Sequence, residues 1–327
     1  MHRKLSTVVI LHSDVKRSYF ANSSAYETEK YALRDAQATA TYAKQFANSV
    51  FTLPANGRMV TKLLALRPDV VVNLVDSVEG DDTRTPEVSA VLDFLKIPYT
   101  GNPLSPLLLC YDKFFVKMIL EQHGIPTPKG YLVKKDQKRV VAPHAFPVIS
   151  KLNTIHGSVG LTKDSISQNM SHLTKRIRSL QKQYKTDILV EEYIVGQEVS
   201  AFVVDNGTTK KVYMAEDIME HGVNPYAIAS YEMRWEEENP VIESKKYGDK
   251  KVEKIVVRAF DALGMKGYSK FDLRVREGIP YFIDINPNPA FAPPECDAPI
   301  AKVLKHLYGV SFESLLASII TAALKKK

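Results

Sequence analysis

The spacing of apolar and polar positions divides the chain into strands and helices. Thr7–Leu11 is a short apolar run that ends at His12 and Asp14, the pattern of a buried strand. Tyr26–Phe46 repeats at helical spacing, with Leu33, Ala36, Ala40, Ala43 and Phe46 on one face. Asn48–Leu53 predicts a strand, Met59–Leu66 a short helix, and Asp69–Val75 a continuously apolar strand. Pro86–Leu95 follows as a helix with Val88, Val91, Leu92 and Leu95 inward. This βαβ alternation predicts a parallel sheet covered by helices. No Gly-x-Gly-x-x-Gly follows the first strand, so the dinucleotide fingerprint is absent.

Ile97-Pro-Tyr-Thr-Gly-Asn-Pro103 is rich in turn residues and marks the exit from this first domain. A helix over Asp112–His123 stops at Gly124, and Ile125-Pro-Thr-Pro128 is a rigid connector. Short strands dominate from there to Val204, broken by a helix around Leu173–Tyr184. The last third carries a helix near Val252–Leu263 and helices after Pro299 and Ser311. Neither an internal repeat nor a low-complexity segment is visible.

Lys270-Phe-Asp-Leu-Arg-Val-Arg-Glu-Gly-Ile-Pro-Tyr-Phe-Ile-Asp-Ile-Asn286 holds the most chemistry. Glu277, Gly278, Ile279 and Pro280 separate two alternating runs, as in a β-hairpin. A turn centred on Gly278 sets Asp272 opposite Asp284 and Lys270 opposite Asn286, all on one face. Phe271, Leu273, Ile283 and Ile285 then point to a core. Opposed carboxylates repel, and a hard divalent cation removes that cost. Asp272, Asp284 and Asn286 are therefore candidate ligands for Mg²⁺ or Mn²⁺, with Lys270 a nearby positive charge. An exposed hairpin face would show the same alternation.

Three further segments bear chemistry. The apolar strand Pro147-Val-Ile-Ser-Lys151 delivers a lysine to its end, before a loop holding Gly157, Ser158 and Gly160. Such a loop lets backbone N–H groups close over phosphate oxygens, although it is not a Walker A motif, and a plain flexible hairpin would also explain it. Ile188-Leu-Val-Glu-Glu-Tyr-Ile194 is a strand broken by Gly196, and Gln197–Val204 is the next. A hinge strand here could read an adenine edge, with Glu198 accepting ribose hydroxyls, or its glutamates could simply be solvated. Ser230-Tyr-Glu-Met-Arg-Trp235 lies in a long polar segment that suits an active-site lid or a packed loop.

Composition narrows the choices. The chain has 327 residues, 45% hydrophobic and 25% charged, enough for two or three subdomains with substantial cores. Its net charge of +7 is spread along the chain apart from Lys325–Lys327, which argues against nucleic acid as the main partner, and anionic substrates such as ATP fit the basic balance equally well. Cys110 and Cys296 are far apart and lack metal-type spacing, as expected of free thiols in a reducing compartment. The basic start is followed by too short an apolar run for a signal sequence, and no stretch approaches a membrane span. The expectation is a cytoplasmic protein.

Read together, the segments resemble the ATP-grasp superfamily, and most closely its D-alanine–D-alanine ligase branch. The resemblance runs from about Asp69 onward. Ile97–Gly101, Tyr111-Asp-Lys113, Gly124–Pro128, the Lys151 strand with its Gly-Ser-Val-Gly loop, Val190–Ile194 and Asp284-Ile-Asn-Pro287 match in order. The implied fold class is α/β, α+β in the C-terminal part: an ATP-grasp fold behind an N-terminal Rossmann-like, pre-ATP-grasp domain. The implied domains are 1–103, a central subdomain 104–190, and a C-terminal subdomain 191–327 carrying the metal site.

The resemblance also implies roles. Lys113 and Lys151, with Gly157, Ser158 and Gly160, would hold ATP phosphates; Glu191, Glu192, Tyr193 and Ile194 would form the adenine hinge, and Glu198 would hold the ribose. Arg234 would contact the terminal phosphate, and Trp235 would take the place of a lid tyrosine. Lys270 stands where the ligases usually place an arginine, keeping the charge without the bidentate fork. Asp272, Asp284 and Asn286 would hold magnesium. The implied reaction is ADP-forming carboxylate–amine ligation through an acyl phosphate, on amino-acid-type substrates, in a possible homodimer. A kinase-type phosphotransferase and a nucleotide-binding partner module are the alternatives.

Departures concern the substrate. The glutamate that grips the first amino acid has no match after the first strand. Ala290 replaces a glycine, and Glu295 falls near the serine that holds the second carboxylate. These differences lead to the expectation of substrates other than two D-alanines.

Overall fold

The computed structural model describes residues 4–20, 23–155, 157–219, 242–296 and 298–325. The first hundred residues form a parallel sheet of β1 (Leu5–Ser13), β2 (Ala47–Ala55) and β3 (Val70–Leu74), ordered β2-β1-β3. The run expected as one helix over Tyr26–Phe46 is two, α1 (Ser23–Glu29) and α2 (Ala32–Ala43). The break leaves Leu33 in the first turn of α2, 50% exposed, while Ala36, Ala40 and Ala43 are buried. Small alanines let α2 lie close on the sheet. Around the sheet follow α3 (Met59–Leu66) and α4 (Thr85–Phe94), and beyond it α5 (Leu104–Tyr111) and α6 (Lys113–Gln122).

A four-stranded antiparallel sheet comes next, of β4 (Gly130–Val133), β5 (Val148–Leu152), β6 (Ile166–Ser167) and β7 (Ile188–Glu192), ordered β4-β7-β5-β6. Helix α7 (Met170–Tyr184) covers it, with Leu173, Ile177 and Leu180 packed on Val148, Leu152, Ile188 and Val190.

The second antiparallel sheet has five strands: β8 (Gln197–Asp205), β9 (Lys210–Met219), β10 (Ile242–Lys246), β11 (Tyr268–Arg276) and β12 (Ile279–Asn286), ordered β10-β9-β8-β11-β12. On one face Val199, Ala201, Phe271, Leu273, Phe282 and Ile285 pack against α6 and α8 (Lys250–Ala262). On the other, Phe202, Val204 and Tyr268 join a core shared with Val8, Ile10 and Val70 of the first sheet. Helices α9 (Pro299–Tyr308) and α10 (Phe312–Lys325) complete that core through Leu304, Leu316, Ile319 and Ile320.

The joint between the first sheet and the second antiparallel sheet is tight. Asn102 donates its amide N–H to Tyr268 O (3.0 Å) and Pro287 O (2.6 Å), and its Oδ1 accepts from Lys266 N–H (2.7 Å). At Gly267, with φ +70°, a Cβ would stand 3.1–3.2 Å from the backbone of Gly101, so only glycine fits without movement.

The β11–β12 hairpin has the expected register, Lys270 opposite Asn286 and Asp272 opposite Asp284. Its turn is shorter than expected. Glu277 (φ 53°) and Gly278 (φ 75°) alone make it, the left-handed pair that suits a two-residue hairpin loop, and Ile279 and Pro280 belong to β12. A bulge lies between Asp272 and Leu273, after which Leu273 faces Phe282. Ile283 is thereby left without a register partner, and the two faces exchange. Phe282 is fully buried in the core in place of Ile283, which turns to the opposite side. Cys110 and Cys296 are free, buried thiols. Among the described residues no single helix is long and apolar enough to cross a membrane.

Candidate active site

Between the two antiparallel sheets lies an open cleft. Of the residues singled out from sequence, Lys113, Lys151, Gly157, Ser158, Glu191, Glu192, Tyr193, Ile194, Glu198, Asp272 and Asp284 line it. Ile283, on the pocket side because of the bulge, lines it too. Arg234 and Trp235 lie outside the described residues.

Lys113 enters from the start of α6. Asp112 caps that helix by accepting from Phe115 N–H (2.9 Å), and Asn153 Oδ1 accepts from Phe114 N–H (3.0 Å). Lys113 is buried, and its ammonium donates to Ile155 O at 2.8 Å. Burial pulls its pKa below the ordinary lysine range; Asp284 opposes the shift, while Lys151 and Lys117 add to it. A strained loop follows β5, in which Gly157 (φ 70°) and the non-glycine Ser158 (φ 60°) are both left-handed. Gly160 belongs to the back of this loop rather than the cleft, packed against Leu152 and Tyr184, and its carbonyl accepts from Arg176.

Glu191 lines the cleft with the other hinge residues. Its side chain is fully buried and takes two ammonium groups, Lys151 on Oε1 at 2.5 Å and Lys117 on Oε2 at 3.0 Å. Burial alone would raise its pKa; the two lysines outweigh burial and hold it below the usual carboxylate range. Two hinge N–H groups are also engaged, Glu192 with Lys129 O (2.8 Å) and Tyr193 with Pro147 O (3.1 Å). The Glu192 side chain pairs with Arg276 at 3.1 Å. Ile194 and the Tyr193 ring are buried beside the cleft.

Glu198 is bound by Arg274 at 2.5 Å, and Arg274 also donates to Gly196 O (3.2 Å) and lies 5.5 Å over the Tyr193 ring. Neither Arg274 nor Lys117 was identified from sequence. The signal for Lys117 was present: with Lys113, Val116 and Leu120 it lies on the inward stripe of α6, where a lysine requires a buried partner. Arg274 had a signal too, since it shares the polar side of β11 with Lys270 and Asp272.

On the five-stranded sheet, Lys270 holds Asp272 at 2.8 Å, and Ser200 Oγ lies 3.1 Å from the same carboxylate. Ser200 also lies 3.0 Å from Asp217, which accepts from Ser244 at 2.7 Å. Asn286 is exposed, its Oδ1 accepting from Asn288 N–H (2.8 Å), and like Lys270 it is not among the lining residues. Among the described residues no three His, Cys, Asp or Glu side chains converge as a closed metal cage. Two carboxylates and an amide beside a lysine-lined cleft do fit a cation that keeps waters and phosphate oxygens, as Mg²⁺ does. Glu295 accepts from Tyr42 O–H (2.9 Å) and does not line this cleft. At the ends of β1 and β3, Glu29 accepts from Ser77 O–H at 2.6 Å.

Comparison with known proteins assigns the family. Residues 119–321 match the family model described as D-ala D-ala ligase C-terminus. The D-alanine–D-alanine ligase of Desulforamulus reducens is 25% identical over 282 residues, covering 79% of this chain and 87% of that protein. That of Flavobacterium psychrophilum is 28% identical over 289 residues, covering 85% and 80%. The crystal structure of D-alanine–D-alanine ligase from Bacillus anthracis complexed with ATP shares the fold with a TM-score of 0.74 at 18% identity, covering 98% of each chain. With the family match spanning most of its length, the chain belongs to the D-alanine–D-alanine ligase family, and is an ATP-grasp carboxylate–amine ligase.

Proposed function

We propose that the chain joins a carboxylate to an amine at the expense of ATP, releasing ADP and phosphate through an acyl phosphate. One observation carries this reading: buried lysines and a cross-strand carboxylate pair share one cleft with a hinge strand. Lys113 and Lys151 bind the phosphates, and the left-handed Gly157–Ser158 turn closes over them. The purine lies along Glu192–Ile194, with the Ile194 N–H as its donor, and Glu198, oriented by Arg274, meets the ribose.

Asp272, Asp284 and Asn286 would hold Mg²⁺, which would supply positive charge against that of the phosphates. Lys270 holds Asp272 in place and adds positive charge beside the phosphoryl group during transfer. The substrate carboxylate attacks the γ-phosphorus, ADP leaves, and the amine attacks the acyl phosphate carbon and expels phosphate. Asp284, Lys113 and Lys151 act by position and charge rather than by bonding to the reacting carbon.

The substrates are small amino-acid-type molecules. Glu29, bonded to Ser77, is our assignment for the ammonium group of the first one, in place of the glutamate absent after β1. Ala290, beside the metal asparagine, and Glu295 are the departures that bear on which amino acids are used. Nothing in the relatives favours the kinase or partner-module alternatives. The test is magnesium-dependent ADP release with D-alanine, L-amino acids and small amines, singly and in pairs, with product mass detection. A condensed product names the substrates. A phosphorylated single substrate, or no release with any pair despite nucleotide binding, counts against the ligase.

A further inference from the structure

Lys117 does not line the cleft, yet it ties together the elements that form it. It lies one turn after Lys113 on α6, with 8% of its side chain exposed. Its ammonium reaches acceptors on both antiparallel sheets: Glu191 Oε2 on β7 at 3.0 Å, and Phe282 O (2.9 Å) and Ile283 O (3.4 Å) on β12. Lys151 makes the same bridge from the pocket side, to Glu191 Oε1 at 2.5 Å and Ile283 O at 3.2 Å. The carbonyl both lysines share belongs to the bulged residue of β12, the one with no register partner. One carboxylate, two ammonium groups and two carbonyls thus join α6, the four-stranded sheet and the five-stranded sheet.

The charges are unequal in purpose. A buried carboxylate with a single cation draws that cation fully to itself, because no water shares the load. Glu191 has two cations, one per oxygen. The second lets Lys151 retain positive charge toward the cleft. We propose that Lys117 is a positioning residue: by neutralising one side of Glu191 and pinning β12, it makes Lys151 available to a polyphosphate. This rests on the reading of the cleft as a nucleotide site, and it adds a residue that never touches the nucleotide.

The experiment is fluorescence titration of the purified full chain with mant-ADP and mant-adenosine. Lys117→Met is expected to weaken mant-ADP at least tenfold while changing mant-adenosine less than threefold, because the loss is confined to the phosphate end. Lys117→Arg, which keeps the charge, should recover most of the affinity. In Lys117→Met/Glu191→Gln the anion that captures Lys151 is gone, so mant-ADP should bind more tightly than to Lys117→Met alone. Should Lys117→Met not fold, Lys117→Gln keeps hydrogen bonding without charge and is expected to show the same selective loss. Equal weakening of both ligands, no weakening, or a double variant no better than the single one overturns the proposal. A wild-type chain that binds neither ligand defeats the nucleotide reading itself, and the proposal with it.

Discussion

Gly196→Ala adds one methyl group at the corner where the hinge segment crosses β11. A Cβ there would stand 2.3 Å from Val275 O and 2.8 Å from Val275 C, where ordinary contact begins at 3.4 Å. The two segments must therefore part by about 1 Å, and no side-chain rotation relieves the clash, because both neighbours are backbone. Overpacking of this kind costs about 1–3 kcal/mol. Separation also stretches the 3.2 Å bond from Arg274 to Gly196 O, at a further cost of about 1 kcal/mol. The expected total is roughly 2–4 kcal/mol, concentrated at the base of β8 and β11. Native-state hydrogen exchange of the β8 and β11 amides would read it locally, and urea unfolding would read it globally. Gly57→Ala is the control, since nothing lies within 4 Å of its added Cβ; it should leave stability unchanged or raise it by up to about 1 kcal/mol. If Gly196→Ala lowers stability by less than about 0.5 kcal/mol, the close packing of hinge on hairpin is wrong.

Three other substitutions probe separate features. Asp284→Asn should abolish magnesium-dependent ADP release while urea unfolding still shows a folded chain; undiminished release would contradict its place as a cation ligand. Phe282→Ala removes a fully buried ring packed edge-on against Phe271 at 5.6 Å, and should cost about 3–5 kcal/mol in urea unfolding, far more than Ile283→Ala; the reverse order would refute the bulge. Glu29→Gln tests a pH dependence. Burial holds the Glu29 carboxyl above its ordinary 4.5 despite hydrogen bonds from Ser77 and Ser13. A raised folded-state pKa contributes stability that is full below 4.5 and lost as pH rises through the folded value. The variant should therefore lose less stability than wild type over that rise, and identical urea midpoints across the pH series would rule the burial out.

The register of the β11–β12 hairpin was legible because alternation fixes which residues share a face, and Asp272 opposite Asp284 required only the position of the turn. The bulge was not legible, since Phe282 and Ile283 are both apolar and either could take the core position. Most helices were placed to within a few residues by their apolar stripes, but the break at Lys30–Tyr31 carries no Gly or Pro to announce it. The two lysines on Glu191 were not legible, because a strand pattern cannot say which lysines of distant segments will reach a glutamate. The Arg274–Glu198 pair is hidden for the same reason, being a contact between neighbouring strands far apart in sequence.

The shared core has a consequence for synthesis on the ribosome. Val8, Ile10, Val70 and Val72 of the first sheet share one apolar cluster with Leu316, Ile319 and Ile320 of α10. Translation proceeds at about 5–20 residues per second, so roughly 10–50 s separate emergence of β3 from emergence of α10. Throughout that interval the nascent parallel sheet has one greasy face without its final cover, a surface that chaperones hold and that aggregates when they do not. The late-made α10 is thus the helix that lets β1 and β3 finish folding.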